Sequence, residues 1–207
     1  MRQIHLVMPC SRPNLVATLA NEYRKMSVVW HPITFQDEPA VYPDEPWIHP
    51  VVIPMDNADC KVYMPGCFKR NWFIKMHNIV DDDYYVTVDD DDMYEPGVLN
   101  AVRLIDDSIV IISMKRGHAI PPGLPIQRQH KTWTLVAKPE NVKLEHISAQ
   151  QSFVKGWLFK EHPFMEDVFA WDGHMAIHHY ESGESTTYRP DLFALFNYYE
   201  PGRWVVE

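Results

Sequence analysis

The stretch Asp81–Pro96, DDDYYVTVDDDDMYEP, decides how the rest of the chain is read. Its middle, Tyr84 to Val88, is aromatic and β-branched. A short run of that kind fits a buried strand, because Val, Thr and Tyr suit a pleated, packed surface. One acidic run leads in, Asp81-Asp82-Asp83, and another leads out, Asp89-Asp90-Asp91-Asp92. Carboxylates this close raise one another's pKa or recruit a cation. For Asp81 to Asp83 a solvated turn is the simplest account. Asp89 to Asp92 stand elsewhere, directly at the C-terminal end of the strand. Open α/β sheets bind ligands there, and hard oxygen donors suit Mg²⁺ or Mn²⁺. Asp89 and Asp91 are the expected metal ligands, since alternate residues leaving a strand can turn toward one cation. Asp90 and Asp92 are expected to support the turn. The run lacks the Gly and the Glu, at their spacing, of an EF-hand loop.

Upstream, Ile4 to Met8 reads as a first strand ended by Pro9. The turn Cys10-Ser11-Arg12-Pro13-Asn14 has helix-starting chemistry, with Ser11 or Asn14 as cap and Pro13 in the first turn. Leu15, Leu19 and Tyr23 keep helical spacing to about Lys25. Val28 to Phe35 is a second strand. Strand, helix and strand at this spacing form a right-handed crossover onto a parallel sheet. The loop Pro9 to Pro13 thereby becomes a candidate nucleotide-binding edge. Arg12 is either a phosphate or base contact or a surface residue of the turn. Gln36 to Pro50 is an acidic, Pro-rich loop, Val51 to Pro54 a short third strand, and Asp56 to Pro65 another loop. Gly66 to Ile79 is a helix whose Lys69, Arg70 and Lys75 either meet a diphosphate or form a solvated face.

Downstream, Glu95-Pro96-Gly97 opens a helix through Val98, Val102 and Ile105. Ile109 to Met114 is an apolar strand. Lys131 to Ala137 is a strand, antiparallel or at an edge, and Ser152 to Phe159 is strand-like. Glu161–Glu181, EHPFMEDVFAWDGHMAIHHYE, is the second informative stretch. Pro163 marks an entry loop, and Glu166-Asp167 head a helix running through Met175, Ile177 and His178. The two acids are either a capping pair favoured by the helix dipole or functional. His174 and His178, four apart on that helix, have the spacing of a metal pair. Thr186 to Arg189 reads as a last strand and Asp191 to Tyr199 as a short helix. The order of elements predicts an α/β fold in a single domain, its sheet mostly parallel with an antiparallel addition.

Composition sets outer limits. The chain has 207 residues, 46% of them apolar, enough for a real core. A net charge of −9 argues against nucleic-acid binding, which needs a basic face. Cys10, Cys60 and Cys67 form no metal-ligand spacing and no even disulfide set, which suits a reducing compartment. No apolar run reaches the roughly 18 residues of a spanning helix. The expectation is a soluble, cytoplasmic protein, or a soluble part of a longer multidomain chain.

The two acidic sites suggest a joint chemistry. A metal-bound diphosphate leaving group needs the first, and an incoming hydroxyl needs a carboxylate base, which the second supplies. That is the layout of a nucleotide-sugar transferase. Val86-Thr87-Val88-Asp89-Asp90-Asp91-Asp92 resembles the hydrophobic strand and DxD motif of GT-A-fold glycosyltransferases. Met165-Glu166-Asp167-Val168-Phe169 resembles their Glu-Asp element, Leu6-Val7-Met8-Pro9 their first strand, and Lys69-Arg70-Asn71 the helix before the DxD strand. The resemblance spans roughly residues 4 to 180. Size and acidity also resemble the glycosyltransferase domain of chlorella-virus capsid-glycosylating proteins.

The resemblance implies a GT-A-like domain, with residues 1 to about 95 binding nucleotide and about 96 to 207 binding acceptor. It implies a UDP-sugar donor, a glycan or glycoprotein acceptor, and Mn²⁺ or Mg²⁺. Asp89 and Asp91 would hold the metal. Pro9, Ser11, Arg12, Asp37, Arg70, Asp89 and Asp90 would contact the donor. Asp167 would be the base of an inverting transfer, and Glu166 would orient the acceptor or donor sugar. Trp171 and Trp157 are either sugar-stacking walls or core. The pattern's late His ligand has no counterpart beyond His178 and His179. Alternatives are retaining transfer on the same fold, a nucleotidyltransferase, disfavoured by the Gly-free Cys10–Asn14 turn, and a non-catalytic metal- or nucleotide-sugar-binding module.

Overall fold

The structure is a computed structural model, and it describes residues 2–12, 15–38, 40–61, 65–116, 133–144, 146–162, 164 and 171–196. The strands are β1 Ile4–Pro9, β2 Val29–Phe35, β3 Val51–Ile53, β4 Tyr84–Thr87, β5 Met93–Tyr94, β6 Ile109–Arg116, β7 Trp133–Leu135, β8 Ser152–Lys155 and β9 Thr186–Leu195. The helices are α1 Val16–Arg24, α2 Pro65–Met76, α3 Val98–Arg103, α4 Gly156–Glu161 and α5 Trp171–Glu181. The strands form one mixed sheet in the order β3-β2-β1-β4-β8-β6-β9-β5, with β7 on β6. β3, β2, β1 and β4 run parallel to one another, as does β9 to β6. β8 is antiparallel to both β4 and β6 and joins the two parallel groups.

Period-two alternation sorts the core onto two faces. Ile4, Leu6 and Met8 of β1, with Tyr84 and Val86 of β4, face α1 and α3 through Leu19, Tyr23, Leu99 and Val102. Val7 and Tyr85 point the other way, toward α2, α4 and α5 through Phe73, Leu158, Phe159 and Met175. Both faces of the sheet are therefore covered, which is why β1 and β4 are apolar almost without interruption.

Three elements differ from what the sequence predicts. The strand-like Ser152–Phe159 segment is strand only to Lys155 and then turns into α4. Gly156 sits at the turn, where a Cβ would lie 2.1 Å from the Val80 carbonyl oxygen and 2.9 Å from Ile79 and Tyr85. No residue with a side chain fits that approach. Asp191 to Leu195, expected in a helix, instead extend β9. The ladder with β6 slips between Ile112 and Ser113, beside Pro190, which has no N–H to donate. Ser113 Oγ donates to the Pro190 carbonyl, 3.1 Å, and holds the irregularity. The third difference is β5, an unexpected two-residue strand straight after the four aspartates, antiparallel to β9.

The lead-in acids also divide. Asp81 and Asp82 are exposed in a turn, as expected. Asp83 is not simply solvated. Its Oδ1 accepts from the Gln3 backbone N–H at 2.8 Å, and its Oδ2 lies 3.3 Å from His5 Nε2. His5 Nδ1 in turn lies 2.9 Å from His31 Nε2. Burial lowers the proton affinity of both rings, so both are neutral. A carboxylate only accepts, so His5 donates through Nε2 and accepts at Nδ1 from His31 Nε2–H. His31 Nδ1 is left with a lone pair that meets no partner.

Candidate active site

β1 and β4 lie side by side and parallel, with Val7 opposite Thr87. Their C-terminal ends release two loops at one edge of the sheet: Pro9 to Arg12 and Asp89 to Asp92. The neighbours of β1 are β2 on one side and β4 on the other. Connections leave in opposite senses there, opening the crevice in which α/β sheets bind ligands.

Asp90 ties the two loops together. Its Oδ2 accepts from the backbone N–H groups of Ser11 at 2.7 Å and Arg12 at 2.8 Å, and from Ser11 Oγ at 3.3 Å. Its Oδ1 accepts from Arg12 Nη1. Buried and occupied on both oxygens, Asp90 anchors the turn. Both of its oxygens are engaged by the β1 loop, so its role in this structure is to hold that loop. Ser11 likewise spends its N–H and hydroxyl on Asp90.

Asp91 is also buried. Its Oδ2 lies 3.2 Å from Arg12 Nη2. Desolvation is the main influence on it, and the charges of Asp89 and Asp90 add to it. Against the opposing pull of Arg12, they push its pKa up to about 7. Asp89 is the half-exposed member of the run, with 47% of its side chain accessible, and Arg70 Nη2 donates to its Oδ1 at 2.6 Å. Asp92 is buried and accepts from Gln150 Nε2 at 2.7 Å. Gln150 is held in turn through its carbonyl by the Tyr94 hydroxyl, 3.0 Å.

Of the three cations on the helix before β4, only Lys75 is exposed. Lys69 and Arg70 are 3% and 2% exposed, so both charges face inward. Lys69 Nζ donates to the Cys10 carbonyl at 2.9 Å, pairs with Glu38 and lies 4.7 Å from the Phe35 ring centroid. It thus clamps the loop leaving β1. Arg70 adds a contact to the Phe164 ring, 5.6 Å to the centroid. Asn71 completes this clasp: its Nδ2 donates to the Phe164 carbonyl at 2.9 Å, and its Oδ1 accepts the Phe164 N–H at 2.8 Å. Pro9 ends β1, with its ring 4.0 Å from the point where a Cβ on Gly66 of α2 would lie.

Other expected residues fall outside this cluster. Asp37 is exposed and caps the Asn57 backbone N–H at 2.8 Å. Trp157 is partly buried and packs against the core beneath α4. Glu166 and Asp167 lie outside the described residues, as does the side chain of Trp171. His178 is exposed and stacks on His162, while His179 is fully buried with neither ring nitrogen partnered. Among the described residues no three His, Cys, Asp or Glu side chains converge closely enough to hold a metal ion by themselves. The chemistry of Asp89 and Asp91 nevertheless fits a hard divalent cation. One is accessible, and the other is a desolvated carboxylate whose charge is only partly balanced. Divalent ions that bind nucleotides commonly use one or two carboxylates and take the rest of their shell from phosphate and water.

Sequence reading missed Glu38, Gln150 and the inward course of Lys69. Only Gln150 had a local signal, the capping box from Ser148 to Gln151 that fixes its turn.

No protein-family model matches the chain, and no curated protein matches it. Solved structures do. TarS of S. aureus in complex with UDP-GlcNAc is similar with a TM-score of 0.62 and 16% identity, over 94% of this chain and 58% of that one. The mannosyltransferase PcManGT of Pyrobaculum calidifontis, in complex with GDP-Man and Mn²⁺, is similar with a TM-score of 0.57 and 14% identity, over 98% of this chain and 59% of that one. The chain spans about three fifths of the length of these two structures. Among the described residues no helix is long and apolar enough to cross a membrane. The chain carries a GT-A-like fold, a mixed α/β sheet flanked by helices, in common with TarS and this mannosyltransferase.

Proposed function

We propose that the protein is a metal-dependent glycosyltransferase that moves a sugar from a nucleotide-sugar donor, a UDP-sugar on the sequence reading, to a glycan or glycoprotein acceptor. The observation that carries this reading is the carboxylate run at the end of β4, locked against the β1 loop by Asp90. It lies in a fold shared with a mannosyltransferase that binds GDP-Man and Mn²⁺. Asp89 and Asp91 would hold Mn²⁺ or Mg²⁺, the diphosphate and water filling the shell. When bound, the ion offsets the charge that develops on the departing nucleoside diphosphate. Arg12 and Arg70 flank the same carboxylates and balance charge there. Residues 1 to about 95 would form the nucleotide half, and about 96 to 207 the acceptor half.

Asp167 would take the acceptor hydroxyl's proton in an inverting transfer, with Glu166 and Trp171 at the sugar. Support comes from Phe164, three residues before Asp167, which α2 holds through Asn71 and Arg70, the partner of Asp89.

The test is a screen of UDP-sugars and GDP-mannose with Mn²⁺, reading release of nucleoside diphosphate. Turnover is expected to stop with chelator and to fall steeply in Asp91→Asn. Full turnover of that variant without metal would refute the reading. The anomeric configuration of the product, with Asp167→Asn beside it, separates inverting from retaining transfer. Metal binding with no nucleotide binding would favour a non-catalytic module.

A further inference from the structure

Resting on that reading, we propose that Arg12 is an exchangeable counter-ion: it holds Asp91 until a divalent cation displaces it, and it then turns to the donor's diphosphate. The guanidinium spans two carboxylates, with Nη1 on Asp90 and Nη2 on Asp91 at 3.2 Å. The two contacts are unequal. Asp90 keeps the Ser11 and Arg12 backbone N–H groups, at 2.7 and 2.8 Å, whatever the Arg12 side chain does. The loop therefore stays anchored when the guanidinium moves. Asp91 has the guanidinium as its cationic partner, and burial already disfavours its charge.

The Arg12 side chain is 35% accessible, against 8% for Asp91, so it has room to swing while the carboxylate does not. A doubly charged ion outcompetes one arm of a guanidinium for a desolvated carboxylate, because Coulomb energy scales with charge. The released arm stays tethered through Nη1 at the mouth of the crevice. There a planar, always-charged fork suits a phosphate. Arg70, the other cation of the run, is 2% exposed and held by Asp89, so it lacks that freedom.

Two linked consequences follow. In wild type the cation must displace Arg12, so it binds weakly alone. Nucleoside diphosphate rewards the displaced arm, so each ligand tightens the other, and the coupling is reciprocal.

The test is calorimetric titration of Mn²⁺ into wild type, Arg12→Ala, Arg12→Gln and Asp91→Asn, each with and without UDP. Arg12→Ala should bind Mn²⁺ alone about fivefold more tightly, the worth of one partly exposed ion pair. It should also lose most of the mutual tightening between Mn²⁺ and UDP. Arg12→Gln repeats the measurement should the alanine variant not fold, and Asp91→Asn should bind no Mn²⁺. Unchanged or weaker Mn²⁺ binding by the Arg12 variants would overturn the exchange while leaving the transferase reading intact. Absence of Mn²⁺ binding by wild type, with UDP as well as without, would overturn both.

Discussion

Two acidic runs flank the same strand, Asp81–Asp83 before β4 and Asp89–Asp92 after it, and the fold treats them in opposite ways. Before the strand, two of three carboxylates face water, and the third binds a backbone N–H and a histidine. After the strand, three of four are buried, and the fourth is paired with a buried arginine. Composition does not explain the difference. Position does: one run lies at the N-terminal edge of a parallel group, the other at the C-terminal edge, where the loop from β1 and helix α2 converge. Cost follows. A solvated aspartate is nearly free, whereas a buried one must be matched by donors or charge. Four carboxylates at one edge, three of them buried and one of these only partly balanced, suit a function better than stability alone.

Asp91→Asn should lower nucleoside diphosphate release by roughly two to three orders of magnitude, the usual effect of losing a group that stabilises developing charge. Its folded state should survive, as circular dichroism would show. Asp90→Asn should act on architecture. Losing a charge that accepts from two backbone N–H groups and an arginine should cost about 2 kcal/mol in urea unfolding. Retention of full stability would show that the β1 loop is anchored elsewhere.

A pH series sharpens the contrast. The folded-state pKa of Asp91 is raised from 3.8 to about 7. The stability that this group contributes is therefore complete below 3.8 and is lost as pH rises through 7. Asp91→Asn should thus gain on wild type as pH climbs from 4 to 8. A constant difference between the two unfolding curves would contradict the raised pKa.

On the lead-in side, Asp83→Asn should cost about 1 kcal/mol of stability with unchanged turnover. A large loss of turnover would erase the distinction between the two runs. Asp82→Asn should change neither the melting temperature nor activity.

Much of this was legible in the sequence where the signals are local. β1, α1, β2 and β4 follow from periodicity over a few residues and from Pro9. The acidic end of β4 is legible from its density, four aspartates in succession. What stayed hidden depends on residues far apart in the chain. Nothing near Ser152 announces that Gly156 must press against the Val80 carbonyl, so strand was extended where a helix begins. Nothing near Asp191 reveals the pairing with β6 that keeps that segment extended past Pro190. The site was legible in its acids but not in their partners. Asp90 meets a loop 78 residues earlier, and Asp92 meets a glutamine 58 residues later. Whether Lys69 and Arg70 face a diphosphate or solvent stayed open, because a charge pattern does not say which helix face meets the sheet.

The relay from Asp83 through His5 to His31 has a direction. A carboxylate only accepts, so it fixes which nitrogen of His5 carries hydrogen, and that choice fixes His31. A single anionic group at the rim thereby sets the tautomers of two rings beneath it. In Asp83→Asn the amide can either give or accept, so the sequence of donors becomes reversible. The ¹⁵N chemical shifts of both imidazoles would read the loss of that polarity directly, as averaging between two tautomers where wild type shows one.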